Sequence, residues 1–491
     1  MSELKQTLEQ EYNIKLFADI ADVASNPYNL YSLLQSVHQE KYKNNDRIIF
    51  YTSYSISDDF LKYMYQATKD IDISNWFVNI VCCMDITEQL EKCKTNNESF
   101  VCKCYDFEST KPINYAFELP KTLCAVPWSN LEIFTNGDIT PCCVSKHAVL
   151  GNIKDTDIQD AFNSERMNHI RSQFLAGEKP EECRNCWKTE DKNLTSTRLN
   201  KNKILKEKML TKYFKKPNVY SLDLKLGNAC NFKCRICNPR FSSLFASEAH
   251  KHKDIPLIEH SKWQESDRFL SQLEQVLPQI ENIDMTGGEP FLLKKITSVL
   301  KTAVEKGYSK KIRLHYNTNG SIYPSDFLSL WQHFKEVNVL FSIDNIGKRF
   351  ELERGGNWQS VEENVLMLKN SNMSNLKVNI MPSVGIMNVY YLDELCNWAK
   401  KQNLDIFLGY VRSTDGLDLA NLTKAAQDMI IEKYEKHPWK ELQNMTEYIK
   451  QLPPSDGKLF CKTIEYFDKI RQQNFIDSHP EIAQAMGYSV K

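Results

Sequence analysis

The sequence predicts an α/β protein whose largest domain is built on a parallel sheet. From residue 219 onward, short apolar strands alternate regularly with amphipathic helices, which is the pattern of repeated β-α-β units. Each motif found within this domain follows one of its strands, at the end where parallel α/β domains place their chemistry. The six strands are predicted near 220–226, 281–286, 311–317, 337–343, 376–382 and 404–410. The helices between them are predicted near 241–250, 265–277, 291–307, 325–335, 359–369 and 392–402.

Three cysteines directly after the first of these strands predict a metal cluster. Cys230, Cys234 and Cys237 stand at C-x3-C-x2-C spacing, directly after the run 221–227, in which apolar residues alternate with polar ones. Thiolates so close on a short loop can each reach one corner of a compact iron–sulfur cluster. Because a closed [4Fe–4S] site needs four protein ligands, three ligands leave one iron open to another molecule. The loop therefore predicts chemistry rather than simple electron carriage.

This loop resembles the signature of the radical S-adenosylmethionine (SAM) enzymes. Residues 284–290, Asp-Met-Thr-Gly-Gly-Glu-Pro, are similar to that family's Gly-Gly-Glu-Pro motif and follow about fifty residues later. The resemblance covers roughly residues 218–412 and implies an open, partial (β/α)6 barrel. A zinc knuckle is the structural alternative, and His250 or His252 would have to supply its fourth ligand. Zinc does not explain the glycines and glutamate at 287–289.

The resemblance implies a reaction and a set of cofactor contacts. A [4Fe–4S] cluster on Cys230, Cys234 and Cys237 chelates SAM, whose reductive cleavage gives a 5′-deoxyadenosyl radical that abstracts hydrogen from a substrate. Gly287 and Gly288 are expected to let backbone approach the ligand, and Glu289 to accept hydrogen bonds from the SAM ammonium. Further SAM or substrate contacts are expected from Ile236, Asn317, Asn319, Ser342 and Asp344. For the Asn and Asp residues, turns or helix caps are the alternative.

A second group of cysteines, within residues 121–190, predicts another metal site. An Asn-Gly turn at 136–137 between two apolar strands predicts a β-hairpin, which brings Cys124 near Cys142. Cys183 and Cys186 form a C-x2-C pair, and a helical stretch at 158–174 returns the chain to the hairpin. Two cysteines from each part make a closed four-thiolate site. Cys143 is an adjacent alternative to Cys142.

The Gly-x4-Cys step that ends at residue 142 resembles the auxiliary-cluster modules called SPASM and twitch. The cysteines match the shorter twitch pattern, which implies one auxiliary [4Fe–4S] cluster. Here the module precedes the barrel, whereas in better-known members it follows the barrel. A structural four-cysteine zinc ribbon has the same spacing and stays open as an alternative.

The rest of the chain divides by composition and periodicity. Residues 1–120 predict a small α/β domain of unknown role, with strands at 47–52 and 76–82 and helices at 58–67 and 85–93. The module at 121–190 is followed by a lysine-rich stretch at 191–217. That stretch predicts a basic helical linker, with an RNA-contacting stripe as the alternative. The barrel at 218–412 precedes a helical C-terminal extension at 413–491, with helices at 422–435 and 464–475.

Composition excludes several classes of function. The net charge of −1 and pI of about 6.8 provide no global field for nucleic acid or anionic membrane. The longest apolar run is far too short to cross a bilayer and the N-terminus lacks a signal pattern, so we expect a cytoplasmic protein. Fifteen cysteines in such a chain favour metal binding over disulfides.

Three functions are consistent with these patterns. The first is a radical SAM oxidoreductase or maturase that modifies a peptide or protein, with the auxiliary cluster accepting an electron after hydrogen abstraction. Its partners would be SAM, the substrate, and a reductant such as flavodoxin or ferredoxin. The second is a radical SAM dehydrogenase of a small molecule, such as a sugar, alcohol or nucleotide. The third is a zinc-stabilised binding protein without catalysis, which iron content and SAM cleavage distinguish from the other two.

Overall fold

The computed structural model describes the strands at 14–19, 47–52 and 77–82 and the ranges 121–191, 195–214, 216–253, 256, 262–412 and 415–489. Two compact units make up the chain. The first contains residues 1–131, 140–150 and 160–219, and the second contains 132–139, 151–159 and 220–491. The predicted helices at 58–67 and 85–93 lie outside the described residues.

The first unit contains a small parallel sheet and a group of helices. Strands β1 (Ile14–Asp19), β2 (Arg47–Thr52) and β3 (Phe77–Cys82) pair in that order, all parallel. Two of them coincide with the predicted strands at 47–52 and 76–82. The main helices of this unit are Glu165–Leu175, Arg184–Glu190 and Thr197–Lys208.

The predicted helix at 158–174 is two helices, Ile158–Phe162 and Glu165–Leu175. Ser164 separates them, because its hydroxyl accepts a hydrogen bond from the Met167 N–H and so begins the second helix as an N-cap. An apolar periodicity that runs through both helices does not reveal such a break. The second helix contributes Phe174 to an aromatic core with Trp128 and Trp187.

The second unit is built on the predicted parallel sheet. Its strands are β7 (Ser221–Lys225), β8 (Asn282–Thr286), β9 (Arg313–Thr318), β10 (Glu336–Phe341), β11 (Leu376–Ile380) and β13 (Asp405–Ile406). They are parallel and adjacent in sequence order. Short strands β4 (Asn130–Ile133), β5 (Asp138–Thr140) and β6 (Gly151–Asn152) continue the sheet beyond β7, and β12 (Ser383–Val384) pairs with β14 (Gly409–Tyr410).

Helices lie between the parallel strands at the predicted places. They are Ser243–Lys253, Asp267–Val276, Ile296–Glu305, Ser325–Trp331, Trp358–Lys369 and Leu392–Lys401. An additional helix, Gly347–Arg354, was not predicted. Because strand–helix–strand crossovers are right-handed, successive crossovers place their helices on one face of the sheet and leave the other as the inner face.

The predicted hairpin at 131–143 is present. The Phe134 N–H donates to the carbonyl of Asp138, and the Asn136 side chain accepts from the Asp138 N–H. Gly137 has φ +93° at the turn, a conformation that non-glycine residues rarely adopt.

The C-terminal extension consists of helices, as predicted. They are Lys424–Tyr434, Lys440–Lys450, Lys458–Arg471 and Pro480–Ala485. Their apolar side chains form one core with residues that follow β12, among them Ile386 and Leu392. No helix in the described part of the chain is long and apolar enough to cross a membrane.

Candidate active site and auxiliary cluster site

The loop after β7 holds Cys230, Cys234 and Cys237 as free thiols. Cys237 N–H donates to the carbonyl of Cys234 at 3.0 Å, which folds the second half of the loop into a turn. The hydroxyl of Ser243, at the start of the following helix, lies 3.2 Å from the backbone N of Cys230 and donates to its carbonyl at 3.1 Å. The loop therefore has a defined backbone conformation.

Burial raises the pKa of all three thiols, that of Cys234 to about 11 and that of Cys237 to about 12. Charge repulsion among the thiols raises the pKa of Cys234 and Cys237 further. Thiols of this kind lose their protons when a metal binds them and ligate it as soft thiolates. Three convergent thiols fit the ligand set of a cluster with one open iron.

The Gly-Gly-Glu-Pro turn after β8 packs against this cysteine loop. Gly288 N–H donates to the carbonyl of Gly227 at 3.0 Å, and Glu289 N–H donates to the carbonyl of Ala229 at 2.8 Å. A Cβ on Gly288 would stand 2.0 Å from the carbonyl oxygen of Ala229, and one on Gly287 would stand 2.7 Å from that of Gly227. We expected these glycines to admit a ligand, but the close approach seen here is to the protein backbone.

The Glu289 carboxylate is 1% exposed and accepts three hydrogen bonds. Its donors are the Thr318 hydroxyl at 2.8 Å, the Asn319 N–H at 2.8 Å and the Phe291 N–H at 3.1 Å. Burial nevertheless raises the pKa of Glu289 to about 7. No ion pair to Glu289 is found among the described residues. A buried carboxylate without a cationic partner fits a ligand ammonium, such as that of SAM.

The ends of the next two strands differ in their relation to the cysteine loop. Asn319, after β9, has its amide nitrogen 3.7 Å from Sγ of Cys230 and 3.0 Å from the side-chain oxygen of Asn231. Asn317 instead lies on the inner face of the sheet, where His315 Nε2 is 3.1 Å from its side-chain oxygen. Ser342 N–H donates to the carbonyl of Thr318, which joins the ends of β9 and β10.

Two more of the predicted contacts have protein partners. Ile236 packs against the apolar core of the C-terminal extension. Asp344 is 2% exposed, and its two oxygens accept from Arg354 Nε and from Ser383 N–H, both at 2.7 Å. The contact of Asp344 with ribose or substrate stays a prediction.

Arg354 is a site residue that the sequence analysis missed. It lies at the end of the unpredicted helix Gly347–Arg354, and its Nη1 is 4.0 Å from Sγ of Cys234. The guanidinium is buried and paired with Asp344, so its orientation toward the thiol is fixed. No local sequence pattern marks it.

We expect Arg354→Gln to lower the reduction potential of a cluster bound at Cys234. A buried cation and an N–H directed at a ligand sulfur both favour the reduced cluster, whose charge is more negative. The measurement is a redox titration followed by electron paramagnetic resonance. Arg349→Gln on the same helix is the control, because Arg349 pairs with Glu394. An unchanged potential in Arg354→Gln would remove Arg354 from the site.

The C-terminal extension contacts the cysteine loop, although the sequence of the extension contains no recognisable motif. Arg235 N–H donates to the carbonyl of Glu353, and Arg235 Nη2 donates to Asp468 at 2.7 Å. His479 Nε2 lies 2.8 Å from the Glu353 carboxylate, and both side chains are buried. Burial lowers the pKa of His479, although Glu353 acts in the opposite direction.

The inner face of the sheet is polar, while the outer face is apolar and buried beneath the helices. Strand pairing arranges the inner-face residues in layers across the sheet. A middle layer is formed by Asp223, Asp284, His315, Asn338 and Lys377. The next layer toward the cysteine loop includes Lys225 beside Thr286, and Leu340 between Asn317 and Asn379.

A chain of hydrogen bonds crosses these layers. Asn379 Nδ2 donates to the side-chain oxygen of Asn338 at 2.9 Å, and Asn338 Nδ2 lies 3.2 Å from His315 Nδ1. His315 Nε2 is then the nitrogen that faces Asn317. Barrel interiors are usually filled with branched apolar residues, so the polar inner face is a departure from the usual pattern.

The auxiliary cysteines converge within the first unit. Cys183 and Cys186 lie at the start of helix Arg184–Glu190, three residues apart and therefore on one helical face. Burial raises the pKa of Cys124, to about 12, and the pKa of Cys142 and Cys183. Cys124 is also close enough to Cys186, and Cys142 to Cys124 and Cys183, for their charges to raise these pKa values.

Four thiols in one region, two of them buried and two partly exposed, fit a cation or a cluster with four thiolate ligands. Cys142 interacts electrostatically with thiols from both other parts of the site, Cys124 and Cys183. The choice of Cys142 over Cys143 as the hairpin ligand stays a prediction.

Two family models match the chain over these two sites. The model described as an iron–sulfur cluster-binding domain, SPASM, matches residues 124–187. The model of the radical SAM superfamily matches residues 224–398. The chain therefore contains a radical SAM domain and, earlier in the sequence, an auxiliary iron–sulfur cluster-binding domain of the SPASM type.

Curated relatives match part of the chain. GTP 3′,8-cyclase from Haemophilus ducreyi is 26% identical over 204 residues, which is 40% of this chain and 54% of the relative. The enzyme of that name from Actinobacillus pleuropneumoniae serotype 3 is 27% identical over 210 residues, 42% of this chain and 56% of the relative. This chain thus spans little more than half the length of these relatives.

Solved structures resemble the chain only weakly. Streptococcus suis SuiB bound to its precursor peptide SuiA has 15% identity and a TM-score of 0.32, over 58% of this chain and 60% of SuiB. TYW1 with a lysine–pyruvate adduct has 13% identity and a TM-score of 0.29, over 46% of this chain and 73% of that one. Likenesses of this size carry no inference about function.

The family matches define the cofactors. A radical SAM domain implies a [4Fe–4S] cluster and SAM, and an SPASM domain implies additional iron–sulfur. The residues present fit both groups, since one loop offers three thiols and the other site offers four. The match to the SPASM model favours iron–sulfur over the zinc ribbon.

Proposed function

We propose that this chain is a radical SAM oxidoreductase that modifies a peptide or protein. The observation that carries the proposal is the three-thiol loop beside a buried carboxylate, Glu289, that has no cationic partner among the described residues. Cys230, Cys234 and Cys237 would hold a cluster with one open iron. Glu289 would bind the SAM ammonium and so orient SAM at that iron.

The bound cofactors supply the radical chemistry: one electron cleaves a carbon–sulfur bond of SAM, giving methionine and a 5′-deoxyadenosyl radical that takes hydrogen from the substrate. The chain's own residues position these groups. Asn319 joins the cysteine loop to the end of β9, and the Gly-Gly-Glu-Pro turn fixes the other side of that loop. The four auxiliary thiols would hold a second cluster that accepts the substrate's electron, which is why we assign an oxidation.

The polar inner face supports a substrate that carries amide groups. Asn317, Asn338 and Asn379 offer both donors and acceptors there, which suits peptide groups and polar side chains. Lys225 is the lysine of the layer nearest the cysteine loop, among the described residues. Its charge is already paired, because Nζ lies 2.8 Å from Glu132 and 3.3 Å from Asp223. A neutral or cationic group therefore fits this surface better than a polyphosphate.

A nucleotide substrate is the second candidate, because the curated relatives act on GTP by their name. A triphosphate needs unpaired arginine or lysine side chains around it. The paired state of Lys225, together with Asp223 and Asp284 on the inner face, argues against this candidate. Incubation with GTP, SAM and dithionite, followed by mass spectrometry of the nucleotides, decides between the two.

The first test is the metal content after anaerobic reconstitution, measured beside dithionite-driven formation of 5′-deoxyadenosine. Two [4Fe–4S] clusters require about eight irons per chain. In Cys183→Ala we expect fewer irons, down to about four if the second cluster is lost, with SAM cleavage still measurable.

Cys461→Ala is the matched control, because Cys461 is a free thiol on helix Lys458–Arg471, outside both sites. Zinc in place of the second set of irons would make the auxiliary module structural. Zinc alone, without SAM cleavage, would contradict the proposed function.

A further inference from the structure

The helix Thr197–Lys208 contacts the auxiliary site although it lies outside the residues that the SPASM model matches. Asn202, on this helix, accepts a hydrogen bond from the Ala125 N–H at 2.9 Å and donates to the carbonyl of Leu123 at 2.6 Å. These two bonds flank Cys124 on both sides. The position of the Cys124 backbone therefore depends on a helix that the sequence assigned to a basic linker.

Arg198 on the same helix is 5% exposed, and its guanidinium donates hydrogen bonds to two separate parts of the chain. Nη1 donates to the carbonyls of Lys121 at 2.7 Å and Leu123 at 2.8 Å. Nε and Nη2 donate to the two carboxylate oxygens of Glu190, at 3.0 and 2.5 Å. The planar fork of arginine can make all these bonds at once, and a lysine ammonium cannot.

Glu190 connects this network to the other half of the site. It is the last residue of helix Arg184–Glu190, which carries Cys186. The Arg198 guanidinium also lies 4.8 Å from the ring centroid of Trp187 on that helix. Arg198 thus bridges the chain segment that carries Cys124 and the helix that carries Cys186.

The charge of Arg198 is placed where a four-thiolate site needs a cation. Four thiolates and a [4Fe–4S] core carry a net negative charge, which is costly in a buried site unless a cation lies nearby. The Arg198 guanidinium donates to the carbonyl of Leu123, the residue before Cys124, and lies 4.8 Å from the ring centroid of Trp187, the residue after Cys186. Arg198 is therefore within electrostatic reach of two of the four ligands.

We propose that Arg198 is a positioning residue of the auxiliary site, and that the auxiliary module extends through helix Thr197–Lys208. Arg198 holds the Cys124 segment against the Cys183–Cys186 helix and offsets the charge of the bound cluster. The proposal rests on the auxiliary thiols holding a metal centre, as proposed above, but not on the radical reaction or its substrate.

The experiment uses the full chain with Cys230, Cys234 and Cys237 all replaced by alanine, so that bound metal reports the auxiliary site alone. In this background, iron, zinc and sulfide per chain are measured after reconstitution, with the rate of metal release to a chelator and the reduction potential. Arg198→Gln removes both the forked hydrogen bonds and the positive charge, whereas Arg198→Lys keeps the charge and loses the forked bonds. Asn202→Ala removes only the hydrogen bonds to Leu123 and Ala125. Lys203→Gln is the control, because Lys203 is an exposed cation on the same helix.

Substitution of a residue that orients a metal ligand typically lowers metal affinity by about 10-fold or more. We expect metal release at least about 10-fold faster in Arg198→Gln, with a lower reduction potential for the cluster that remains. Arg198→Lys should restore the potential more than the release rate, Asn202→Ala should raise the release rate alone, and Lys203→Gln should match the parent. Circular dichroism checks that each variant is folded.

Release and potential equal to the parent in folded Arg198→Gln and Asn202→Ala would overturn the proposal. If Arg198→Gln does not fold, the result for Asn202→Ala decides. Zinc instead of iron in the parent would contradict the second cluster of the proposed function, and Arg198 would then be tested by zinc release in the same variants.

Discussion

Replacing Cys234 by alanine is expected to abolish reductive cleavage of SAM. Cys234 is the most buried of the three loop thiols, lies between the other two in sequence, and faces the guanidinium of Arg354. Two remaining thiolates cannot hold a [4Fe–4S] cluster that also keeps one iron open for SAM. The measurement is 5′-deoxyadenosine formed with dithionite, against a no-enzyme blank, together with iron per chain.

The matched control for this variant is Cys396→Ala. Cys396 is also a buried free cysteine of the second unit, on helix Leu392–Lys401, but it has no place in the loop. Loss of its sulfur costs stability through packing alone and should leave the iron content unchanged. Undiminished 5′-deoxyadenosine in Cys234→Ala would contradict the assignment of the cysteine loop as the SAM-cleaving site.

The sequence predicted the parallel strands well because their apolar residues alternate with polar ones. In β7, for example, Leu222 and Leu224 are buried while Ser221, Asp223 and Lys225 are half-buried. The same regularity gave the helix Asp267–Val276, whose buried residues fall on one face. Close spacing revealed the cysteine loop at 230–237 and the pair Cys183 and Cys186, because ligands within a few residues leave a local pattern.

The helix Gly347–Arg354 shows why other parts of the site were missed. Its buried residues include the consecutive Leu352, Glu353 and Arg354, so its apolar residues do not follow one face. Glu353 and Arg354 are buried because their partners come from distant parts of the chain, His479 for one and Asp344 with Cys234 for the other. A buried charge with a distant partner looks like a surface charge in the sequence.

The lysine-rich stretch at 191–217 also contains a buried charged residue that the sequence does not distinguish from its exposed neighbours. Its composition predicts a solvated helix, and Lys203 and Ile204 are indeed exposed. Ser196 and Arg198, in the same stretch, are 2% and 5% exposed, and both bind Glu190. One arginine among many cations carries no distinguishing pattern, so only the tertiary structure separates it from its neighbours.

Gly288→Ala is expected to remove the first cluster and SAM cleavage together. The motif led us to expect that Gly288 makes room for a ligand, but its added Cβ would stand 2.0 Å from the carbonyl oxygen of Ala229. Backbone atoms cannot rotate away as a side chain can, so the turn or the cysteine loop must shift. Overpacking of this kind costs about 1–3 kcal/mol or more, and the shift would displace Cys230, one residue after Ala229.

The control for this variant is Gly307→Ala. Gly307 has φ +74° and open space around an added Cβ. Alanine at this position is therefore expected to lower stability by about 1–2 kcal/mol, through backbone strain alone. The two variants therefore share a similar loss of stability but differ in their effect on the cysteine loop. Iron per chain and 5′-deoxyadenosine should fall in Gly288→Ala and stay at the parent level in Gly307→Ala. Equal retention in both would mean that the close backbone contact between the turn and the cysteine loop is not needed to hold the cluster.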